Sequence, residues 1–238
     1  MSGVGKHVVQ DVLSFFNFHR NPQHYRLCPH VARRRQRGYD PPMGAISRDA
    51  GQNAQPNLQR RAAIVTAFIA VLWLIEALDL FIWRGNLDAF GIRPRTLAGL
   101  LRIPVAPLLH AGFDHLIANT MPLLILCWLV LLRGLRDFVD ATVLAALISG
   151  LGIWAFGASN SIHIGASGLV FGYLGYLTAR GYFERSFVAV LLAAAALILY
   201  GGLLIGALPG RAGVSWLGHL FGFLGGILAA YLHAPRRD

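Results

Sequence analysis

The chain has 238 residues, of which 55% are apolar and only 13% carry a charge. A soluble domain of this length holds about 25% charged residues, so an ordinary soluble domain and a disordered chain are excluded, and two cysteines, Cys28 and Cys127, cannot build a disulfide scaffold. The net charge of +10 does not point to nucleic acid, because the arginines gather in the N-terminal tail and between apolar runs, as membrane topology requires.

Residues 1–61 form a basic tail rich in Arg, Pro, Gln and Asn, read as largely disordered and cytoplasmic. Asp11 and the polar run after Phe18 interrupt any leader-like apolar core, so no signal peptide is read there. His19, His24, Cys28 and His30 are too loosely spaced to favour a metal site. Residues 62–233 then carry six apolar runs, at 62–82, 115–132, 138–156, 166–182, 187–207 and 216–233. Each approaches the length of about 20 residues that crosses a bilayer core. The expected fold is therefore all-α, a bundle of six membrane spans with a long first outer loop. Residues 234–238 make a short basic C-terminal tail.

Orientation follows from the basic residues. With a cytoplasmic N-terminus, 16 of the 21 Lys and Arg fall inside and five outside. The positive-inside rule then puts both termini in the cytoplasm. A reporter fused after Asp238 tests this reading; extracytoplasmic activity of the fusion would invert it. The loop at 83–114 lies outside, and its run from Leu97 to Leu109 is broken by Arg102, Pro104 and Pro107. Such a short, interrupted run reads as an interfacial or re-entrant segment.

Polar side chains inside spans are costly, so each is a functional candidate. In this topology spans two, four and six all begin at the outer face. Near those beginnings lie His115 and Asn119, then Ser167, then His219. Glu76 and Asp79, three apart near the outer end of span one, can share a face. Ser167 sits in Gly165-Ala166-Ser167-Gly168 at the start of span four, where helix N–H groups lack partners. It reads either as an N-cap between packing glycines or as a nucleophile beside free donors. A serine nucleophile needs a base within hydrogen-bond reach.

His219 follows Gly218 in a run where Gly218, Gly222 and Gly226 recur every four residues, and span four carries Gly168 and Gly172 at the same spacing. Such faces let helices approach until their backbones nearly touch, which would bring His219 beside Ser167. Taken alone, the histidine could as well cap a helix or bond a carbonyl. His115 and Asn119 are four apart and share a helix face, as two oxyanion donors would. His110 and His115 are five apart, about 140° around a helix, with no HExxH glutamate or cysteine cluster. No metal is expected.

The ordered set of His110-Ala-Gly-Phe-Asp-His115-Leu-Ile-Ala-Asn119, Gly165-Ala-Ser167-Gly168 and His219 with its glycine repeat resembles the rhomboid family of intramembrane serine proteases. The likeness covers about residues 62–233. It implies that Ser167 is the nucleophile and His219 the base, with no third carboxylate and no cofactor. It also implies that His115 and Asn119 help the Ser167 amide hold the oxyanion. His110 would order the loop before span two, and Gly165, Gly168, Gly218 and Gly222 would serve structure. Phe171 stands where the family often has a tyrosine that stacks on the histidine. The first outer loop resembles the branch of the family that carries Phe-Gly-Ile-Arg-Pro-Arg, here Phe90-Gly-Ile-Arg-Pro-Arg95.

The implied partners are single-span or other transmembrane substrates and the lipid bilayer, with no nucleic acid, and the implied location is a bacterial cell membrane. The rival reading is a non-catalytic protein of the same fold that binds transmembrane clients. Such a relative would normally lack the serine or the histidine. A transporter would more often show midplane charges and internal repeats.

Overall fold

The computed structural model describes residues 46–209 and 213–234, and among them every regular element is helical. The readings on residues 1–45, including the tail histidines, and on Arg211, Arg236 and Arg237 lie outside the described residues. Seven α-helices follow in chain order: α1 Ile46–Leu78, α2 Leu97–Leu101, α3 Phe113–Arg133, α4 Leu135–Phe156, α5 Ser167–Glu184, α6 Phe187–Tyr200 and α7 Trp216–Leu232. The backbone is thus already helical ahead of residue 62. A π-turn, Asp79–Trp83, extends α1, and 3-10 turns at Asn86–Phe90, Ala106–Leu108 and Gly201–Ala207 shape the connections.

The turns carry their own chemistry. Gly134, at φ +147°, ends α3 and opens α4, a backbone state that a side chain would strain. Thr96 caps α2 by accepting the Gly99 amide at 3.0 Å, and Ser186 caps α6 by accepting the Ala189 amide at 3.2 Å. The first outer loop holds α2 and the Ala106–Leu108 turn in place of a span, with Leu97 and Leu101 exposed.

Among the described residues four segments are long and apolar enough to cross a membrane: Leu58–Trp83, Phe113–Arg133, Leu135–Phe156 and Phe187–Ile205. Two of the six expected runs, now α5 and α7, differ from these for a physical reason. α5 carries Arg180, Glu184 and four glycines in 18 residues, and α7 has only 17 residues. α5 is an inner helix, with Tyr173, Leu174 and Tyr176 fully buried. A helix that faces other helices needs small residues for close approach more than it needs apolar bulk. Most of the large exposed apolar side chains lie on α1, α3, α4 and α6, among them Leu74, Ile117, Val143, Phe187 and Ile198.

Close approach is explicit between α5 and α7. A Cβ at Gly222 would lie 2.2 Å from the Gly168 carbonyl oxygen, and one at Gly226 would lie 1.8 Å from that of Gly172. The two backbones are in contact over two turns. At the far end of α5 from Ser167, a polar network joins four helix ends. Glu184 pairs with both Arg133 and Arg180, and Arg180 also donates to the His233 carbonyl. His233 bridges Asp137 and Asp140, 2.8 Å from each carboxylate. Buried pairs of this kind add little net stability but specify which helix ends meet.

Candidate active site

Ser167 is the first residue of α5, and Ala166, not Ser167, is the N-cap residue. The serine hydroxyl is therefore free of capping duty. Its Oγ lies 2.9 Å from His219 Nε2, which comes from the first turn of α7. The glycine contacts described above bring α5 and α7 to the close separation that this distance requires. Phe171, one turn beyond Ser167, stacks on the His219 ring at 4.1 Å between centroids and 7° between planes. The stack holds the imidazole flat with one edge towards the serine.

His115 and Asn119 come from the first two turns of α3. The Asn119 amide donates one hydrogen to the His115 carbonyl at 3.1 Å. Its second hydrogen remains for another acceptor. The His115 ring lies against Gly165, where a Cβ would come within 2.7 Å of it, and Gly165 adopts φ +113°. No other residue type meets both demands without strain. Ser167, His219, His115 and Asn119 all line one groove of about 780 Å³, together with Phe171 and Asp88. A second pocket of about 30 Å³ also touches Ser167, lined by Ser149, Ile153 and Gly218 among others. That volume holds a water or two.

His110 departs from the helical argument made for it. α3 begins at Phe113, so the rotation of about 140° that separates positions five apart on a helix does not apply. The His110 and His115 rings in fact meet edge to face at 5.2 Å. His110 is only 1% exposed, and its Nε2 accepts the Ala166 amide at 3.3 Å. It thereby ties the loop before α3 to the turn that carries Ser167. Accepting at Nε2 puts the ring proton on Nδ1, and burial lowers its pKa to about 4, so the ring is neutral. Among the described residues no group of three or more His, Cys, Asp or Glu side chains is arranged to hold a metal ion.

Gly168 and Gly218 sit where α4, α5 and α7 converge. Ser149 Oγ donates to the Gly218 carbonyl at 2.9 Å, and a Cβ at Gly168 would lie 2.5 Å from that same Oγ. Glu76 and Asp79 are both buried near the end of α1, and Asp79 accepts the Leu87 amide at 3.0 Å. They brace the first outer loop and do not line the groove.

Several residues at the groove escaped the sequence reading. His163, Ser161 and Ser215 form a hydrogen-bonded chain beside Ser167. The available signal was the alternation Ser161-Ile162-His163-Ile164, a period-two pattern that puts serine and histidine on one side of an extended strand. Arg95, at φ +56°, donates to the Gly157 carbonyl at 2.7 Å and to Ser159, fastening the first outer loop to the α4–α5 connection.

Comparison with known proteins agrees with this architecture. The Rhomboid domain family matches residues 98–236. An uncharacterized protein of Mycobacterium tuberculosis is 42% identical over 224 residues, covering 86% of this chain and 91% of its own length. One from Mycobacterium leprae is 42% identical over 182 residues, with 73% and 72% covered. The Bacillus subtilis protein named "Putative rhomboid protease YdcA" is 25% identical over 186 residues, with 73% of this chain and 88% of its own covered. With its four long apolar helices, the chain is an integral membrane protein, and it belongs to the rhomboid family.

Proposed function

We propose that this chain is an intramembrane serine endopeptidase that cuts peptide bonds in or near membrane-spanning segments of other proteins. In this reading six helices span the bilayer, α5 and α7 included, with both termini cytoplasmic and the groove towards the outer face. The observation that carries the proposal is the 2.9 Å contact between Ser167 Oγ and His219 Nε2, inside a groove that also holds His115 and Asn119.

The chemistry is acyl transfer. His219 takes the Ser167 proton as Oγ bonds to the substrate carbonyl carbon. The carbonyl oxygen becomes an anion, received by the Ser167 backbone N–H, by His115 and by the second hydrogen of Asn119. His219 then protonates the leaving amine as the C–N bond breaks. Water attacks the acyl-serine, gives its proton to His219, and releases the new carboxylate as Ser167 is restored. A peptide bond inside an intact helix is shielded by its own hydrogen bonds. Good substrates should therefore carry helix-weakening residues near the cut, and the resemblance adds a small residue before the scissile bond.

Labelling of the detergent-solubilised protein with a fluorophosphonate probe tests the nucleophile. The wild type should label and Ser167→Ala should not. Equal labelling of the two would remove Ser167 from the mechanism.

A further inference from the structure

Ser215 is the N-cap residue of α7, yet its hydroxyl makes no capping bond. It lies 2.8 Å from His163 Nδ1 instead. On the other side of the ring, Nε2 is 2.8 Å from Ser161 Oγ. The direction of these bonds follows from one further contact. Ser161 spends its only proton on the Ala158 carbonyl, 2.6 Å away, so towards His163 it can only accept. His163 must then carry its proton on Nε2, and Nδ1 must accept from Ser215. Burial lowers the pKa of His163 and keeps this neutral, one-proton form. The chain therefore runs one way, from the Ser215 hydroxyl through the imidazole to Ser161 and on to a backbone carbonyl.

The position of this chain matters. His163 pairs by backbone with Ile92 in both directions, at 2.9 and 3.0 Å, so it is anchored to the first outer loop. Two residues on, the Gly165 amide donates to the Ala106 carbonyl at 2.9 Å. The segment leading into Ser167 is thus held on a fixed frame. Ser215, at the other end of the imidazole, accepts the His219 amide through its carbonyl at 3.1 Å, the first intrahelical bond of α7. Deep in the bundle α5 and α7 are locked backbone to backbone at Gly222 and Gly226, whereas beside His219 the approach relaxes, a Cβ at Gly168 lying 3.5 Å from the Gly218 carbonyl oxygen. At the outer end, Ser149 ties the Gly218 carbonyl of the first turn of α7 to α4, and His163–Ser215 ties the start of that helix to the loop before Ser167.

We propose that His163 is a positioning residue for the Ser167–His219 pair: by accepting the Ser215 hydroxyl it fixes the first turn of α7, and with it His219, against the loop that carries Ser167. This rests on the assignment of Ser167 and His219 as the reacting pair. Helix first turns fray when their free groups lack partners, and a displacement of about 1 Å at a reacting pair can cost up to about 10²-fold in rate. The effect belongs to kcat, because the bond acts on the reacting pair; His163 and Ser215 also line the groove, so recovery of the rate by His163→Gln separates positioning from lining.

The experiment uses the full chain in bicelles with three single variants. His163→Phe keeps a flat ring without either bond, Ser215→Ala removes the donor, and His163→Gln keeps one acceptor and one donor. With a fluorogenic transmembrane peptide, His163→Phe and Ser215→Ala should each lower kcat by about tenfold to 10²-fold, with KM within about twofold. The double variant should be no slower than the slower single, since both changes break the same His163–Ser215 bond. His163→Gln should recover most of the rate. Unchanged kcat in His163→Phe, multiplied losses in the double variant, or a change confined to KM would overturn the proposal.

Histidine-selective ¹⁵N NMR provides a readout that does not need turnover. His163 should appear as the Nε2–H tautomer, and Ser215→Ala should shift both its Nδ1 signal and the ring signals of His219. An Nδ1–H tautomer, or a His219 spectrum indifferent to Ser215→Ala, would overturn the proposal even in a variant that folds poorly at His163. If Ser167→Ala retains full turnover while these shifts appear, the reacting pair is wrong and the His163 link stands.

Discussion

His219→Ala should reduce turnover of a transmembrane model substrate by about 10⁴–10⁶-fold, the range seen when the base of a serine hydrolase is removed. Ser167 Oγ has His219 Nε2 at 2.9 Å as its proton acceptor. A serine at its ordinary pKa is almost wholly protonated at neutral pH, so without that acceptor the attacking form is scarce. Labelling by a fluorophosphonate should fall in parallel, since it reads the same activation without the need to bind a helix. Stability should change far less. The main packing lost is the stack with Phe171, and an aromatic pair is worth about 0.5–1.5 kcal/mol beyond its area. The tight glycine contacts of α7 with α5, at Gly222 and Gly226, lie past this position and are untouched. A thermal melt beside kcat/KM gives the comparison. Turnover within tenfold of wild type would mean that another group serves as base.

The second large effect separates the two histidines before and within α3. His115→Ala should lower kcat by about 10²–10³-fold, the cost of one oxyanion donor, with KM little changed. Its ring is half-buried and faces the groove. His110→Ala should instead lower the melting temperature more than His115→Ala does. His110 is buried, and its loss leaves the Ala166 amide without its acceptor. An unsatisfied buried amide costs about 1–3 kcal/mol, and the cavity adds to it.

Acidity gives a further readout on His110. In the unfolded chain an imidazole takes a proton near its ordinary value of 6.5, whereas folded His110 does so only near about 4. Between those values the unfolded state binds the extra proton, so stability falls as pH drops from 6.5 towards 4. That component of the acid sensitivity should disappear in His110→Ala. If His115→Ala proves the less stable protein and keeps near-normal turnover, the two histidines exchange roles.

Much of this protein is legible in one dimension. The low charge content, the spacing of apolar runs and the distribution of arginines specify a helical membrane protein, because lipid imposes its demand on each segment separately. Glycines four apart mark Gly168/Gly172 and Gly218/Gly222/Gly226 as faces for close packing, since side-chain size and helical period are local properties. The order of the motif residues around His115, Ser167 and His219 carries the family likeness.

What depends on pairing between distant segments could not be read this way. Ser167 and His219 are 52 positions apart, and whether they meet depends on the register in which Gly222 and Gly226 seat on the backbone of α5. His110 looked like a residue on a helix, but only the tertiary structure decided that α3 begins after it and that its partner is the Ala166 amide. The Arg133, Asp137, Arg180, Glu184 and His233 network draws on four separate helix ends. The use of Ser215 as a donor to His163, in place of a helix cap, depends on two loops meeting. Periodicity states which face of a helix is small or apolar; helix rotation and loop closure choose the partner, and no local window of sequence contains either.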